Sequence, residues 1–389
     1  MLSRLSHSQV LNSTHTNTPS GGSPQPTLLS FVTAQGRADP DLALALDALA
    51  SACKRISLAV RRAPIERLTG YLGSSVNTGG ERQKKLDVLS NDLIKESLAD
   101  SGRVAAFASE EEDGVVRLTE GAALVVACDP LDGSSNVDCS VPTGTIFGVY
   151  GALGQDDDAR ESDRRHTSLG LASLFGQFND CRNIHDEHTV NRSVLQKGRE
   201  LLAGGYCLYA STTLFVLALK GKGTHVFALD PAVGDFVLQR AHVQIPPRGA
   251  SYSLNEGREA DWPEGLRRYV NDMKQGLGQT KTPYDLVYVC SLVADVHYVL
   301  QRGGMACNPR SHLRLIYEGN PMALVVEEAG GLSSTGGGPR ERRILDVVPQ
   351  AVHERIPTFV GSRDDILELE SYGDVAQEGT KVYASVQQG

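Results

Sequence analysis

An α/β fold is predicted for this chain of 389 residues, because two kinds of segment alternate along it. Runs with apolar residues at helical spacing mark amphipathic helices. Short unbroken apolar runs mark buried strands, and several of these end in acidic residues.

Asp41 to Val60 places Leu42, Leu44, Leu46, Leu49, Ala52, Ile56 and Val60 at mostly helical spacing, which predicts a helix. Gln83 to Ala99 predicts a second, with Leu86, Leu89, Leu93 and Ile94 facing inward. Asp87 then lies off the apolar stripe, free to meet a metal. Val104 to Ala108 and Leu124 to Cys128 read as buried strands. Residues 154–199 are polar and charge-rich, and read as an insertion with a short helix near Leu169 to Phe178. Its triplet Asp156-Asp157-Asp158 reads as a solvated face. From Ala203 the pattern is mixed again. Leu214 to Leu219 and Thr224 to Leu229 predict strands; Trp262 to Met273 and Val289 to Leu300 predict helices. Pro321 to Ala329 predicts a last helix, stopped by Gly330-Gly331.

The whole-chain numbers narrow the function classes. A net charge of −9 and the absence of a basic patch with interleaved aromatics argue against nucleic-acid binding. No apolar run approaches the length that spans a bilayer. Seven scattered cysteines (53, 128, 139, 181, 207, 290 and 307) form no metal-binding spacing and read as reduced thiols. Cys181 sits in the irregular segment, where it reads as redox-exposed or inert. The Ser/Thr/Asn/Pro-rich start carries no acidic residue before Asp39, as transit peptides do, but it is poor in arginine. A tail on a cytoplasmic protein is expected, with an organellar address left open.

Asp129-Pro130-Leu131-Asp132-Gly133-Ser134-Ser135-Asn136 is the most informative stretch. Two aspartates three apart at a strand end can face one cation, and hard divalent cations take carboxylate and carbonyl oxygens. Gly-Ser-Ser offers N–H groups and hydroxyls to an oxyanion. Alone, the run would also suit a turn. With Ser109-Glu110-Glu111-Glu112-Asp113 upstream it suggests metal-assisted phosphate chemistry. Hydrolysis of a phosphate monoester needs charge neutralisation, an activated water and a stabilised leaving oxygen, and clustered divalent metals can supply all three.

Further stretches keep a fixed order: Lys84-Lys85-Leu86-Asp87-Val88-Leu89-Ser90-Asn91-Asp92, Gly144-Thr145-Ile146-Phe147-Gly148, Tyr252-Ser253-Leu254-Asn255-Glu256-Gly257, Val293-Ala294-Asp295-Val296-His297 and Leu313-Arg314-Leu315-Ile316-Tyr317-Glu318-Gly319-Asn320-Pro321-Met322. Together they resemble the fructose-1,6-bisphosphatase (class I) family, within the magnesium-dependent, lithium-sensitive phosphatase superfamily, from about Thr27 to Tyr372. The resemblance implies a layered α/β/α/β/α sandwich of the sugar phosphatase type. It implies a tail over 1–26, an N-terminal domain over 27–200, a C-terminal domain over 201–373 and a tail over 374–389, with the divide near Gly198 to Gly205.

The resemblance also implies roles. Asp87, Glu110, Asp129, Asp132, Glu318 and the carbonyl of Leu131 are expected to hold Mg2+, or Mn2+, with more than one ion per site. Glu111 looks like the carboxylate that activates the attacking water; Glu81 stands where the family has Asp, and Asp87 also belongs to the catalytic set. Gly133, Ser134, Ser135, Asp132 and Arg314 are expected at the scissile phosphate. His297 is expected to be structural. The expected partner is a small-molecule sugar phosphate, with no nucleic acid and no membrane, in a homo-oligomer, dimer or tetramer.

The distal half departs from the family pattern. Asn255 and Tyr288 match it. Arg258 stands for a Tyr, Val287 for an Arg contributed between subunits, Asn308 for a Tyr, and His312 for a Lys, and the loop before Leu313 looks shorter than usual. Arg258 is expected to restore a cation for fructose 1,6-bisphosphate. Other readings stay open: another phosphorylated sugar or nucleotide sugar, a catalytically idle metabolite-binding paralogue, or an inositol-phosphatase-like enzyme. Where AMP-inhibited members have a Thr/Gly/Glu-rich helix start, a Lys-Tyr pair and an Arg, this chain has Ala38-Asp39-Pro40-Asp41, Ala123-Leu124 and Gly151. Insensitivity to AMP is expected.

Overall fold

The computed structural model describes residues 25–35, 39–76, 82–153, 187–337 and 343–377. Glu81, Asp156-Asp157-Asp158, Cys181 and the helix expected near Leu169 to Phe178 lie outside the described residues.

Two sheets carry the fold. The larger has eight strands in the spatial order β10 (Asp235–Val243), β9 (Gly223–Asp230), β8 (Thr213–Leu219), β7 (Ala203–Tyr209), β6 (Thr143–Gly151), β5 (Leu124–Asp132), β3 (Val104–Ser109) and β4 (Val115–Arg117). The smaller has five: β12 (Asp285–Leu286), β11 (Ser251–Ser253), β13 (Met305–Arg314), β15 (Arg355–Gly361) and β14 (Leu332–Ser334). A hairpin, β1 (Tyr71–Val76) and β2 (Arg82–Lys84), stands apart from both. The divide expected near Gly198 to Gly205 falls inside the larger sheet. β7 pairs with β6 in full register, from Ala203 opposite Val149 to Tyr209 opposite Thr143, and the sheet continues to Val243.

Alternation along the strands makes the layers. On β5, Val125 and Ala127 enter one core while Leu124, Val126 and Cys128 enter another; on β6, Ile146 and Tyr150 oppose Phe147 and Val149 in the same way. The first outer core packs helices α1 (Leu28–Ala34), α2 (Pro40–Glu66) and α3 (Lys85–Ser101) on the large sheet. Past the short α4 (Glu187–Val194) and α5 (Glu264–Gln275), the middle layer is α6 (Leu292–Arg302) and α7 (Asn320–Glu328). Their Val293, Val296, Met322 and Val326 share one core with Ile146 and Tyr206 on the large sheet and Ile356 and Val360 on the small one. The last layer is α5 with α8 (Arg363–Ser371), where Leu266, Tyr269 and Ile366 meet Tyr252 and Phe359. The order is α/β/α/β/α.

Caps account for the ends that periodicity misplaces. α2 starts at Pro40 behind the Asp39 N-cap, whose carboxylate accepts from Asp41 N at 2.9 Å. It runs past Val60 to Glu66 on a polar turn closed by an Arg62–Glu66 ion pair at 2.5 Å. Gln83 and Lys84, expected in α3, belong to β2, because Lys84 is the extended N-cap residue. Ser291 caps α6, so that helix begins at Leu292 rather than Val289. Residues 374–377, expected as tail, are packed: Val375 is 2% exposed, within the last core. No helix among the described residues is long and apolar enough to cross a membrane. The six described cysteines are free thiols.

The middle of the large sheet tolerates no added volume. A Cβ at Gly205 would lie 2.2 Å from Val216 O and 2.6 Å from the Phe147 ring. Gly205→Ala is expected to lower stability by ~1–3 kcal/mol through forced repacking. A urea titration beside the wild type checks this, and an unchanged midpoint would contradict the packing described.

Candidate active site

β3 and β5 lie side by side and run parallel, with Ser109 opposite Cys128. The chain therefore leaves both strands at one sheet end. Glu110 and Glu111 occupy the turn after β3, and Asp129, Leu131 and Asp132 close β5. A third segment arrives from the other sheet. β13 ends at Arg314 and passes into a π-turn, Leu315–Gly319, that carries Glu318. Glu318 accepts from Arg314 N at 2.5 Å, so the turn closes on its own carboxylate. Asp87 joins from the first turn of α3.

Asp129, Asp132 and Glu318 each offer an oxygen, and these oxygens lie within 4.8 Å of one another. All three residues are buried. Burial, with neighbouring carboxylates, pushes Asp129 well above the usual carboxylate range and Glu318 up to about 8. Asp132 is raised by burial too, against the pull of its donors: Ser291 Oγ at 2.6 Å, Val293 N at 2.9 Å and Leu292 N at 3.2 Å. It thus holds the start of α6 against the end of β5. Asp87 accepts from Lys84 N at 2.9 Å through Oδ2, while Oδ1 is buried with no hydrogen-bond partner. Burial raises Asp87 to about 6. An all-oxygen set of mutually repelling carboxylates, plus an orphaned buried oxygen, fits hard divalent cations.

Two expected carboxylate ligands stand outside the trio. Glu110 pairs with Arg314 at 3.0 Å, and Asp87 caps its own helix. Both still line the same cavity. Glu111 accepts from Gln83 Nε2 at 2.7 Å. Glu112 is tied to Lys95 at 2.6 Å and to Asn91 at 2.7 Å, on the flank of α3. His297 shares a hydrogen bond of 2.8 Å with Tyr206, beneath α6.

The turn after β5 is shaped for a close approach. Gly133 has φ +70°, and a Cβ there would lie 3.0 Å from Ser291 Cβ. Ser134–Cys139 forms a short 3-10 helix, anchored by Asn136 Nδ2 donating to Pro142 O and Val289 O at 3.1 Å each. Lys84 Nζ donates to Asp138 at 2.7 Å and to Ser134 O at 3.4 Å. That amine joins the hairpin and α3 to the turn.

These parts share a cavity of about 620 Å3. It is lined by Asp87, Glu110, Glu111, Asp129, Leu131, Asp132, Gly133, Ser134, Ser135, Asn255, Tyr288, Arg314 and Glu318, so the expected residues are brought together with two exceptions. Glu81 lies outside the described residues. Arg258, expected at the distal end, lines a separate recess of about 50 Å3 instead, because its 3-10 turn, Glu256–Asp261, faces Trp262 and Pro309. Val287 does not line the large cavity. The cavity also holds Lys84, Asp295 and Arg310, to which the sequence reading assigned no role. Lys84 and Asp295 sat within quoted motifs. Asp295 accepts from Val289 N at 2.9 Å, and burial raises it to about 6. Arg310 carried no motif signal.

The raised carboxylates set a pH dependence. Glu318 titrates higher folded than its ordinary 4.5, so its contribution is fully present at low pH and lost as pH rises through about 8. His225 and His297, buried and held near 4, act oppositely below about 6.5. Between about pH 7 and 8.5, chelator-treated protein should therefore melt at progressively lower temperature. Millimolar magnesium or manganese should recover the loss, because bound cations favour the ionised carboxylates. Melting curves with and without chelator decide, and a metal-free melting point rising with pH in that window would contradict the arrangement.

Comparison with known proteins agrees with this architecture. The family model for the fructose-1-6-bisphosphatase N-terminal domain matches residues 27–241, and that for the C-terminal domain matches 245–374. The chain is 42% identical over 357 residues to a chloroplastic fructose-1,6-bisphosphatase of Brassica napus, covering 89% of this chain and 81% of that one. It is 39% identical over 358 residues to fructose-1,6-bisphosphatase 1 of Bos taurus, covering 89% and 95%. The crystal structure of Leishmania major fructose-1,6-bisphosphatase in holo form superposes with a TM-score of 0.77 at 31% identity, over 90% of this chain and 99% of that one. With both domain models matched in order across the two sheets, the chain belongs to the fructose-1,6-bisphosphatase family.

Proposed function

We propose that this phosphoric monoester hydrolase removes the 1-phosphate of fructose 1,6-bisphosphate, or of a closely related sugar phosphate, with magnesium or manganese as cofactor and more than one ion per site. One observation carries the reading: the Asp129–Asp132–Glu318 carboxylates and the Gly133-Ser134-Ser135 turn share one cavity with Asn255 and Tyr288. Divalent cations there would neutralise the phosphoryl oxygens and activate the attacking water. Asp87, Glu110, Asp129, the Leu131 carbonyl, Asp132 and Glu318 are the residues that would hold them.

The chain's own groups supply the rest. N–H groups and hydroxyls of Gly133, Ser134 and Ser135 grip the scissile phosphate, and Arg314 adds a cation beside them. Glu111 accepts a proton from the attacking water. The water oxygen bonds to phosphorus as the bond from phosphorus to the sugar oxygen breaks, and the sugar oxygen takes a proton from solvent, leaving inorganic phosphate and a sugar hydroxyl. Asn255 and Tyr288 orient the sugar.

A second reading, changed specificity for another phosphorylated sugar, is favoured by the altered distal wall, where Asn308 and His312 line the cavity and Val287 does not. Insensitivity to AMP belongs to the same proposal. A helix start is an anion site when its N–H groups are open. Here the Asp39 carboxylate takes the Asp41 N–H and sets its own negative charge at the helix start. A homo-oligomer, dimer or tetramer, is proposed by family analogy.

Magnesium-dependent phosphate release from fructose 1,6-bisphosphate, run beside sedoheptulose 1,7-bisphosphate and sugar monophosphates, tests the function. Release is expected to disappear with chelator and to fall about a hundredfold or more in Glu111→Gln. No release from any member of the panel would sink the reading and leave an idle paralogue. In the same assay, AMP at sub-millimolar concentration should leave the rate unaltered; AMP-specific inhibition there would overturn the insensitivity.

A further inference from the structure

The cavity is not uniform in charge. Its carboxylates Glu110, Glu111, Asp129, Asp132 and Glu318 gather at the ends of β3 and β5 and on the π-turn, with Asp87 on α3 and Asp295 on α6. Lys84 bonds Asp138 and Ser134 O, and Arg314 pairs with Glu110. Arg310 lines the same cavity four residues before Arg314 on β13, at most about 13 Å away along an extended strand. Pairing of β13 with β15 breaks between Asn308 and Leu313, so Arg310 sits on a bulge. Bulges re-aim side chains beside binding sites.

The C-terminal segment holds this bulge. Gln377 N–H donates to Pro309 O at 2.7 Å, and Gln377 forms an isolated parallel bridge with Arg310. Gln377 is 7% exposed, and Val375 is anchored in the last core. On the other side, Asn308 pairs with Thr358 of β15. The bulge backbone is therefore pinned from both sides. Asn255, Tyr288, Asn308 and Arg310 line both the large cavity and the recess behind it, whereas Arg258 lines only the recess.

We propose that Arg310, held on the β13 bulge by the Val375–Gln377 strap, is the specificity-determining cation for the second anionic group of the substrate. A guanidinium makes charge-assisted, bidentate contacts with phosphate oxygens. The strap sets the position of that fork, and Gln377 is a positioning residue. The proposal rests on the hydrolase reading above and deepens it by assigning the distal grip to a residue of this chain.

The experiment compares wild type, Arg310→Met, Arg310→Lys and Gln377→Pro on fructose 1,6-bisphosphate and on fructose 1-phosphate. Arg310→Met should raise KM for the bisphosphate about tenfold or more, with kcat within about twofold. KM for the monophosphate, which lacks the second anion, should move by less than about twofold. Arg310→Lys should recover part of the loss, since it restores the charge without the fork. Gln377→Pro, which lacks the N–H donated to Pro309, should raise the bisphosphate KM selectively, about threefold. Should Arg310→Met fail to fold, Arg310→Gln decides on the same two KM values. Equal changes on both substrates, or an unchanged bisphosphate KM, overturn the proposal while leaving the hydrolase reading intact. A wild type that releases no phosphate from either substrate removes both.

Discussion

Repulsion among buried carboxylates organises this structure. Asp129 and Asp132 end a strand of the large sheet, Glu318 follows a strand of the small one, and all three are buried with oxygens within 4.8 Å of each other. Such a cluster is costly unless protonated or neutralised by cations. The surrounding framework has to hold it together. Parallel β3 and β5 deliver one side, and the π-turn after β13 delivers the other. Asp132 receives three hydrogen bonds from the start of α6, so the middle helical layer is tied directly to the site.

The five layers follow from the same demand. A site built where two sheets meet needs both sheets covered on every other face. Period-two alternation on β5 and β6 feeds two cores at once, which makes the large sheet apolar on both sides. α6 and α7 then fill the space between the sheets and share a core with each. The turn at Gly133 lies against Ser291 at the start of α6, so the turn, the helix cap and the carboxylates form one packed unit.

Much of this was legible in the chain. The helices and strands were marked by periodicity, and the acidic and Gly-Ser-Ser residues that line the cavity by motifs whose residue types suit metal and phosphate chemistry. Errors clustered at ends. Lys84 was placed in a helix because its neighbours are helix formers, yet its extended backbone makes it the N-cap residue. The domain divide was set in the apolar run that became β7, because a strand's partner cannot be read from its own residues. Residues 374–377 read as tail because a four-residue segment has no periodicity to show that Val375 is buried.

The distal wall shows where local reading stops. Arg258 and Arg310 are both arginines in polar surroundings, and alignment with the family pattern favoured the first. Only the break in β13–β15 pairing and the strap at Gln377 bring Arg310 to the large cavity and leave Arg258 in the recess. By itself the sequence determined the α/β class, the family pattern and the chemistry of the acidic and Gly-Ser-Ser groups, because these depend on residue type and short spacing. The tertiary structure decided which carboxylates converge, where the large sheet ends and which arginine lines the large cavity, because those depend on pairings between segments tens to hundreds of residues apart.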